Sequence, residues 1–211
     1  MPLHTLLRIS PIVWLSPLLL LVATAYPQVL WAATSDPYPL AYTAVGAFSV
    51  AFIAPVCAAC AAWEGGRLRR AGWFDRPHSR SPLVVALSLI YPVMAIGALI
   101  LTVATMVTLM SKGLFVLPDL HLLLPTLAII FVHSLLGFAV GVRLPTVVAV
   151  PGVLLIDYIW MVVPAALQPL WLRHLTGAWE SCCNIDRLLA PQAILGALIV
   201  ALGMAGSAIL L

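Results

Sequence analysis

Charged residues are scarce in this chain. They make up 8% of its 211 residues, whereas hydrophobic residues make up 64%, and the mean hydropathy is +1.14. A water-soluble globule of this length needs far more charge on its surface. The composition therefore excludes a soluble domain and predicts an integral membrane protein.

Motifs for several kinds of catalysis are also missing. Gly65 and Gly66 are followed by neither Lys-Ser nor Lys-Thr, and neither a GxSxG elbow nor an HExxH helix occurs. The formal charge of +3 is too small to indicate a nucleic-acid partner. We therefore expect no catalytic, metal or cofactor site on this chain, and no binding of nucleic acid.

Long apolar runs fill most of what remains. A spanning helix needs about 20 apolar residues to cross roughly 30 Å of hydrocarbon, and these runs are too long and too uniformly apolar for barrel strands. The sequence predicts an all-α polytopic membrane bundle, one transmembrane domain over residues 1–211. The six predicted spans are 11–33, 40–63, 83–110, 120–142, 146–167 and 190–211.

The basic residues predict the orientation of these spans. Arg8 precedes the first apolar run as in a secretory signal, but Leu30 and Trp31 stand where cleavage needs small residues, so we expect an uncleaved signal anchor. With both termini in the cytoplasm, seven of the ten Lys and Arg residues lie inside, which is the positive-inside bias of a plasma-membrane protein. The inner residues are Arg8, Arg67, Arg69, Arg70, Arg76, Arg80 and Arg143, and the outer ones are Lys112, Arg173 and Arg187.

Two connecting segments have a composition of their own. The cytoplasmic segment 64–82 contains EGGRLRRAGWFDRPHSRS and half of all Lys and Arg residues, which suits either a short helix at the membrane surface or a solvated loop. In the external segment 168–189, Trp171, Leu175 and Trp179 recur every four residues. That spacing predicts an amphipathic or partly re-entrant helix.

Two ionisable residues lie inside the predicted spans. At ~1.5 Å per residue from the tight turn 143–145, His133 is about 15 Å deep and Asp157 about 18 Å deep, so the two can meet. A buried carboxylate costs several kcal/mol unless it is paired, hydrated or neutral. The pair is either a structural contact between helices, or a polar site that accepts a proton or a cationic substrate.

The four cysteines fall into two pairs. Cys57 and Cys60 form a CxxC inside an Ala-rich helix and are interpreted as small buried hydrophobes, because a metal site needs further soft ligands. Cys182 and Cys183 are predicted to lie outside, where oxidation is permitted. Four states stay open for them: a vicinal disulfide, two bonds to partner chains, one bond across a dimer, or free thiols. His174 and Glu180 lie near them, but the spacing matches no established metal pattern.

Small residues at a spacing of four occur in two spans. Gly137 and Gly141 form a GxxxG in the fourth span, and Gly203 with Ser207 repeats the spacing in the sixth. Such positions let helices approach closely. They predict helix packing without specifying the partner helix.

The layout resembles the permease subunit of type-2 ATP-binding-cassette exporters, especially small actinobacterial ones. The resemblance rests on six spans with both ends inside, the basic segment EGGRLRRAGWFDRPHSRS after the second span, and the segment PLWLRHLTGAWESCCNIDRLLAP before the last. It covers the whole chain but is architectural, without a diagnostic short motif.

This resemblance implies a function for the chain. It implies a homodimer in the lipid bilayer that moves a hydrophobic or amphipathic substrate and pairs with a P-loop ATPase subunit, which would hold the ATP and magnesium. The basic segment would be a coupling helix, and the ATPase would contact Arg67, Arg69, Arg70, Trp73 and Phe74. Two alternatives are a stand-alone secondary transporter that uses Asp157 and His133, and a non-catalytic membrane anchor or assembly subunit.

Overall fold

A computed structural model describes residues 10–30, 38–73, 81–167, 171–178 and 190–210. These residues form eight helices and no strand: α1 Pro11–Leu30, α2 Pro39–Ala47, α3 Val50–Arg70, α4 Pro82–Ser111, α5 Leu120–Arg143, α6 Thr146–Ala166, α7 Trp171–Leu175 and α8 Pro191–Leu210. For the described residues, the prediction of an all-helical fold is confirmed.

Five helical segments of 19 to 32 residues are long and apolar enough to cross a membrane, judged by length and composition. They are Pro11–Val29, Pro39–Arg70, Pro82–Ser111, Leu120–Arg143 and Thr146–Pro164. In α8 the apolar stretch Pro191–Met204 is shorter. The described residues thus have the character of a multi-pass membrane protein, and the sixth span stays a prediction.

The centre of the bundle is formed by α2 and α3 together, Pro39–Arg70, hereafter the central helix. In its most apolar part 89% of residues are buried, compared with 22% to 56% in the other four segments. It packs against α1, α4, α5 and α6. Its many alanines, of which Ala54, Ala58 and Ala61 are fully buried, let neighbours approach on all sides.

A tightened helical turn separates α2 from α3, which still form one continuous segment, Pro39–Arg70. Phe48 and Ser49 have ψ angles of −20° and −16°, and the Ser49 amide donates to the Gly46 carbonyl, the i to i−3 bond of a 3₁₀ turn. The Ser49 hydroxyl donates to the Ala23 carbonyl of α1 at 2.8 Å. The turn therefore also fastens α1 to the central helix.

The closest helix packing lies between α3 and α5. A Cβ placed on Gly137 or Gly141 of α5 would collide with the backbone of Ala58 or Ala62 of α3. Only glycine allows the two backbones to come this near. By contrast, Gly203 of α8 has nothing within 4 Å of such a Cβ, and Ser207 donates to the Met204 carbonyl of its own helix. Gly203 and Ser207 of α8 therefore make no close helix contact within the described residues of this chain.

Contacts at the two ends of the bundle show which helix termini lie together. Arg69 and Arg70 at the end of α3 reach the Arg143 carbonyl at the end of α5 and the Thr146 hydroxyl at the start of α6. We call this the arginine end. At the opposite end the Asp119 amide, just before α5, donates to the Thr43 hydroxyl of α2 at 3.3 Å. Helices α3 and α5 therefore run in opposite directions to α6.

Two connecting segments differ from their predictions. Segment 64–82 was expected to leave the membrane after residue 63, but α3 continues to Arg70, because Gly65 and Gly66 fit against α5 and Thr146, and it ends where Gly72 takes a φ of 61°. Of the external segment 168–189 the structure describes residues 171–178, where α7 ends at Leu175 and Gly177 has a φ of 77°, so the predicted helix does not continue through residues 176–178. Trp179 lies outside the described residues.

Candidate functional site

The position of Asp157 follows from the buried face of α6. Buried residues recur every four positions along this helix at Ala149, Val153, Asp157 and Met161, which places them on one face. The side chains of Leu155 and Ile156 point outward and are exposed. Asp157 therefore lies on the side of α6 that packs into the bundle, where it is 4% exposed.

His133 of α5 meets this carboxylate. Its Nδ1 lies 2.5 Å from Asp157 Oδ1, and both side chains are almost completely buried. One proton shared by the two groups makes the pair neutral overall, whether it sits on the imidazole or on the carboxyl group. A neutral pair costs less to bury than either charge alone. The structure thus brings together the two residues selected from the sequence, as a link between α5 and α6.

The second carboxylate oxygen of Asp157 takes no part in the contact with His133. Asp157 Oδ2 is buried and has no hydrogen-bond partner among the described residues. Cys57 of α3 is near enough to interact electrostatically with Asp157, but its thiol lies 3.8 Å from the Val93 carbonyl of α4, to which it can donate. Such an unsatisfied acceptor is costly in an apolar interior.

The two cysteines of the CxxC in α3 are buried and pack against neighbouring helices. Cys57 and Cys60 are buried free thiols one turn apart, and the Cys57 sulfur lies against Gly97 of α4. Within the described part of the chain no cluster of three His, Cys, Asp or Glu residues could hold a metal ion. Cys182 and Cys183 lie outside the described residues.

An apolar groove opens between α1 and α6, with α3 as its floor. Its volume is about 620 Å³, and its lining is almost entirely hydrocarbon. Leu15 contributes from α1, Phe52 and Trp63 from α3, and Leu155 with Tyr158 from α6. From Phe52 to Trp63 the floor is about 16 Å long at ~1.5 Å per residue. We call this feature the α1–α6 groove.

The arginine end adjoins this groove. The Arg70 guanidinium lies over the Trp63 ring, 5.6 Å from its centroid, and also donates to the Thr146 hydroxyl. Arg67 Nη1 donates to Glu64 Oε2 at 2.7 Å. A smaller cavity of about 270 Å³ is lined by Glu64, Arg67, Arg70 and nearby apolar residues. Among the described residues of this end, four arginines and one glutamate give an excess of positive charge.

The remaining residues expected to contact an ATPase are Arg69, Trp73 and Phe74. Arg69 is half-buried and donates to the Arg143 carbonyl at 3.4 Å. Trp73 is half-buried just after the end of α3, and Phe74 lies outside the described residues. The three arginines thus form the last turn of the central helix and do not belong to a separate short helix.

Sequence reasoning missed the α1–α6 groove and the burial of Glu64. The signal that would have found the ion pair, which the sequence prediction did not include, is the spacing of Glu64 and Arg67, three residues apart on a helix. Nothing comparable indicated the groove, because its lining residues are as apolar as those facing the core. Comparison with known proteins adds no assignment: no protein-family model, curated protein or solved structure matches this chain.

Proposed function

We propose that this chain is the membrane-spanning subunit of an ATP-driven exporter, which couples a separate ATPase to the movement of a hydrophobic or amphipathic molecule. The observation that supports this most is the placement of Arg67, Arg69 and Arg70. They form the last turn of the most buried helix in the bundle, at the end where α3, α5 and α6 meet.

This placement suits the transfer of a movement from a docked protein to the membrane interior. The central helix contacts four other long helices through small side chains, so a displacement of its arginine end shifts packed backbones and not only flexible side chains. The same helix is the floor of the α1–α6 groove. Movement at the arginine end would therefore change the width of the groove.

The partner's chemistry follows from the charge. An ATPase surface with carboxylates would complement the exposed Arg70 and the partly exposed Arg67 and Arg69. ATP and magnesium would bind on that subunit. A hydrophobic or amphipathic substrate could enter the groove sideways from the lipid, and a second copy of the chain would complete the pathway.

Copurification from the native host tests the proposal. We expect an affinity-tagged chain to bring down a P-loop ATPase and ATP-hydrolysing activity, and we expect the triple substitution of Arg67, Arg69 and Arg70 by alanine to remove both. Lys112→Ala, which removes a cation at the opposite end, should leave both in place. A native chain that is monodisperse in detergent but brings down no ATPase would overturn the proposal.

A second candidate function rests on the His133 and Asp157 pair. A buried carboxylate with one free oxygen is the kind of group that proton-coupled transporters protonate during transport. In proteoliposomes without ATPase, this alternative requires substrate uptake driven by a pH gradient and lost in Asp157→Asn. Unchanged uptake in that variant, with lower thermal stability, would leave the pair a structural role only.

A further inference from the structure

The α1–α6 groove and the arginine end together have the shape and charge of a site for one lipid molecule. The groove is almost purely hydrocarbon along about 16 Å. Roughly half of a hydrocarbon core of about 30 Å is one leaflet. The groove is therefore as long as one leaflet and not as long as the whole membrane.

The groove begins near the arginine end. Its floor residues Ala59, Cys60 and Trp63 lie on a face of α3 that continues, three to four residues at a time, to Arg67 and Arg70. Arg70 is fixed there by the Trp63 ring, which itself lines the groove, and by Thr146 at the start of α6. A guanidinium held at the mouth of an apolar channel is positioned for a group that is anionic at one end and apolar at the other.

The positive charge at the arginine end determines which lipid headgroup the site favours. Arg67 is partly compensated by Glu64, whereas Arg70 is exposed and its polar contact is with the neutral Thr146 hydroxyl. Arg69 adds a third positive charge on the same turn. A net positive site favours a phosphate with net negative charge over a zwitterionic headgroup.

We infer that the α1–α6 groove binds one acyl chain of an anionic phospholipid from the leaflet at the arginine end, with the phosphate on Arg70. Hydrocarbon fills the groove, which would otherwise be an empty apolar space open to the bilayer. The guanidinium supplies planar donors for the phosphate oxygens. The site does not depend on the exporter proposal, because it needs no partner protein.

Native mass spectrometry of the detergent-solubilised chain tests the charge component. The chain is titrated with phosphatidylglycerol or with phosphatidylcholine of the same acyl chains, and the affinity for the first bound lipid is measured. We expect tighter binding of phosphatidylglycerol, and we expect Arg70→Ala to weaken it roughly fivefold, the effect of one basic residue near a lipid surface. Lys112→Ala removes a cation that lies 5.8 Å from the Tyr42 ring at the opposite end, and it should change nothing.

The groove is tested separately with Leu155→Trp, which places a large ring in it. Leu155 is 61% exposed and Leu99, which is 63% exposed on α4 and away from the groove, is the matched control. We expect Leu155→Trp to weaken the binding of both lipids and Leu99→Trp to weaken neither. Equal affinity of the native chain for the two lipids, or unchanged lipid binding in Leu155→Trp, would overturn the inference.

The same spectra show whether a second copy occupies the groove instead. A dimer that is lost in Leu155→Trp but kept in Leu99→Trp, with lipid binding unaffected, would also overturn the lipid site. Failure of the exporter proposal gives a different result, because the native chain would then bring down no ATPase and would still bind lipid. If an ATPase partner exists, Leu155→Trp should still bring it down.

Discussion

At the scale of single residues, Asp157 and His133 are two ionisable side chains buried within the membrane-spanning helices α6 and α5. Their 2.5 Å contact joins α5 to α6, and one carboxylate oxygen is left without a partner. Interhelical hydrogen bonds in membranes average only about 0.6 kcal/mol, because the unfolded chain also finds partners. The cost of leaving one member alone is larger, since a buried polar group then loses all its partners.

We expect Asp157→Leu to lower the free energy of unfolding by about 1–3 kcal/mol, because His133 loses its partner. The double substitution of His133 and Asp157 by leucine should restore part of that loss, since no polar group is left unpaired. Thermal unfolding in detergent measures both.

Asp157→Asn is the matched control for this pair, because its amide oxygen can still accept from the imidazole. It should cost less than Asp157→Leu. If the single leucine variants and the double variant had additive effects, His133 and Asp157 would not be coupled.

At the scale of helices, the α3 and α5 pair determines how the bundle packs. Gly137 and Gly141 face Ala58 and Ala62 so closely that a methyl group has no room. The GxxxG in the sequence predicted close packing but not the partner helix, because every neighbouring span offers small residues. Only the folded chain shows that the partner is the central helix.

We expect Gly137→Ala to destabilise the bundle by roughly 1–3 kcal/mol, the usual cost of overpacking. Gly152→Ala on α6 is the control, because a Cβ there meets nothing within 4 Å. It should be neutral or stabilising by up to about 1 kcal/mol, as expected for alanine in a helix. Equal melting temperatures for the two variants would contradict the close approach of α3 and α5.

At the scale of the whole molecule, the orientation in the membrane stays a prediction from the distribution of basic residues. The structure places the ends of α3 and α5 and the start of α6 together at the arginine end. These termini must therefore share one side of the membrane. The positive-inside rule assigns that side to the cytoplasm.

Labelling with a membrane-impermeant maleimide checks this assignment in intact cells. Two single cysteines are compared in a chain whose native cysteines are all replaced, Cys57 and Cys60 by alanine and Cys182 and Cys183 by serine. They are Ala71→Cys, exposed at the arginine end, and Phe115→Cys, 81% exposed in the connection between α4 and α5. We expect Phe115→Cys to be labelled and Ala71→Cys to be labelled only after lysis. The reverse pattern would place the arginine end outside and remove the basis for an ATPase partner.

The sequence by itself determined the class of protein, the helical character and most helix positions. These depend on local properties, because an apolar run in lipid has to satisfy its backbone groups within its own helix. The tight turn at residues 143–145 likewise set the depths of His133 and Asp157, since depth along a helix is a count of residues.

The tertiary structure alone decided which faces of the helices are covered. The extension of α3 to Arg70, the burial of Glu64, the α1–α6 groove and the Arg70 contact with Trp63 all depend on neighbours distant in sequence. In a membrane bundle, residues facing lipid and residues facing the core are equally apolar. Hydrophobicity therefore locates the spans, and only packing distinguishes their faces.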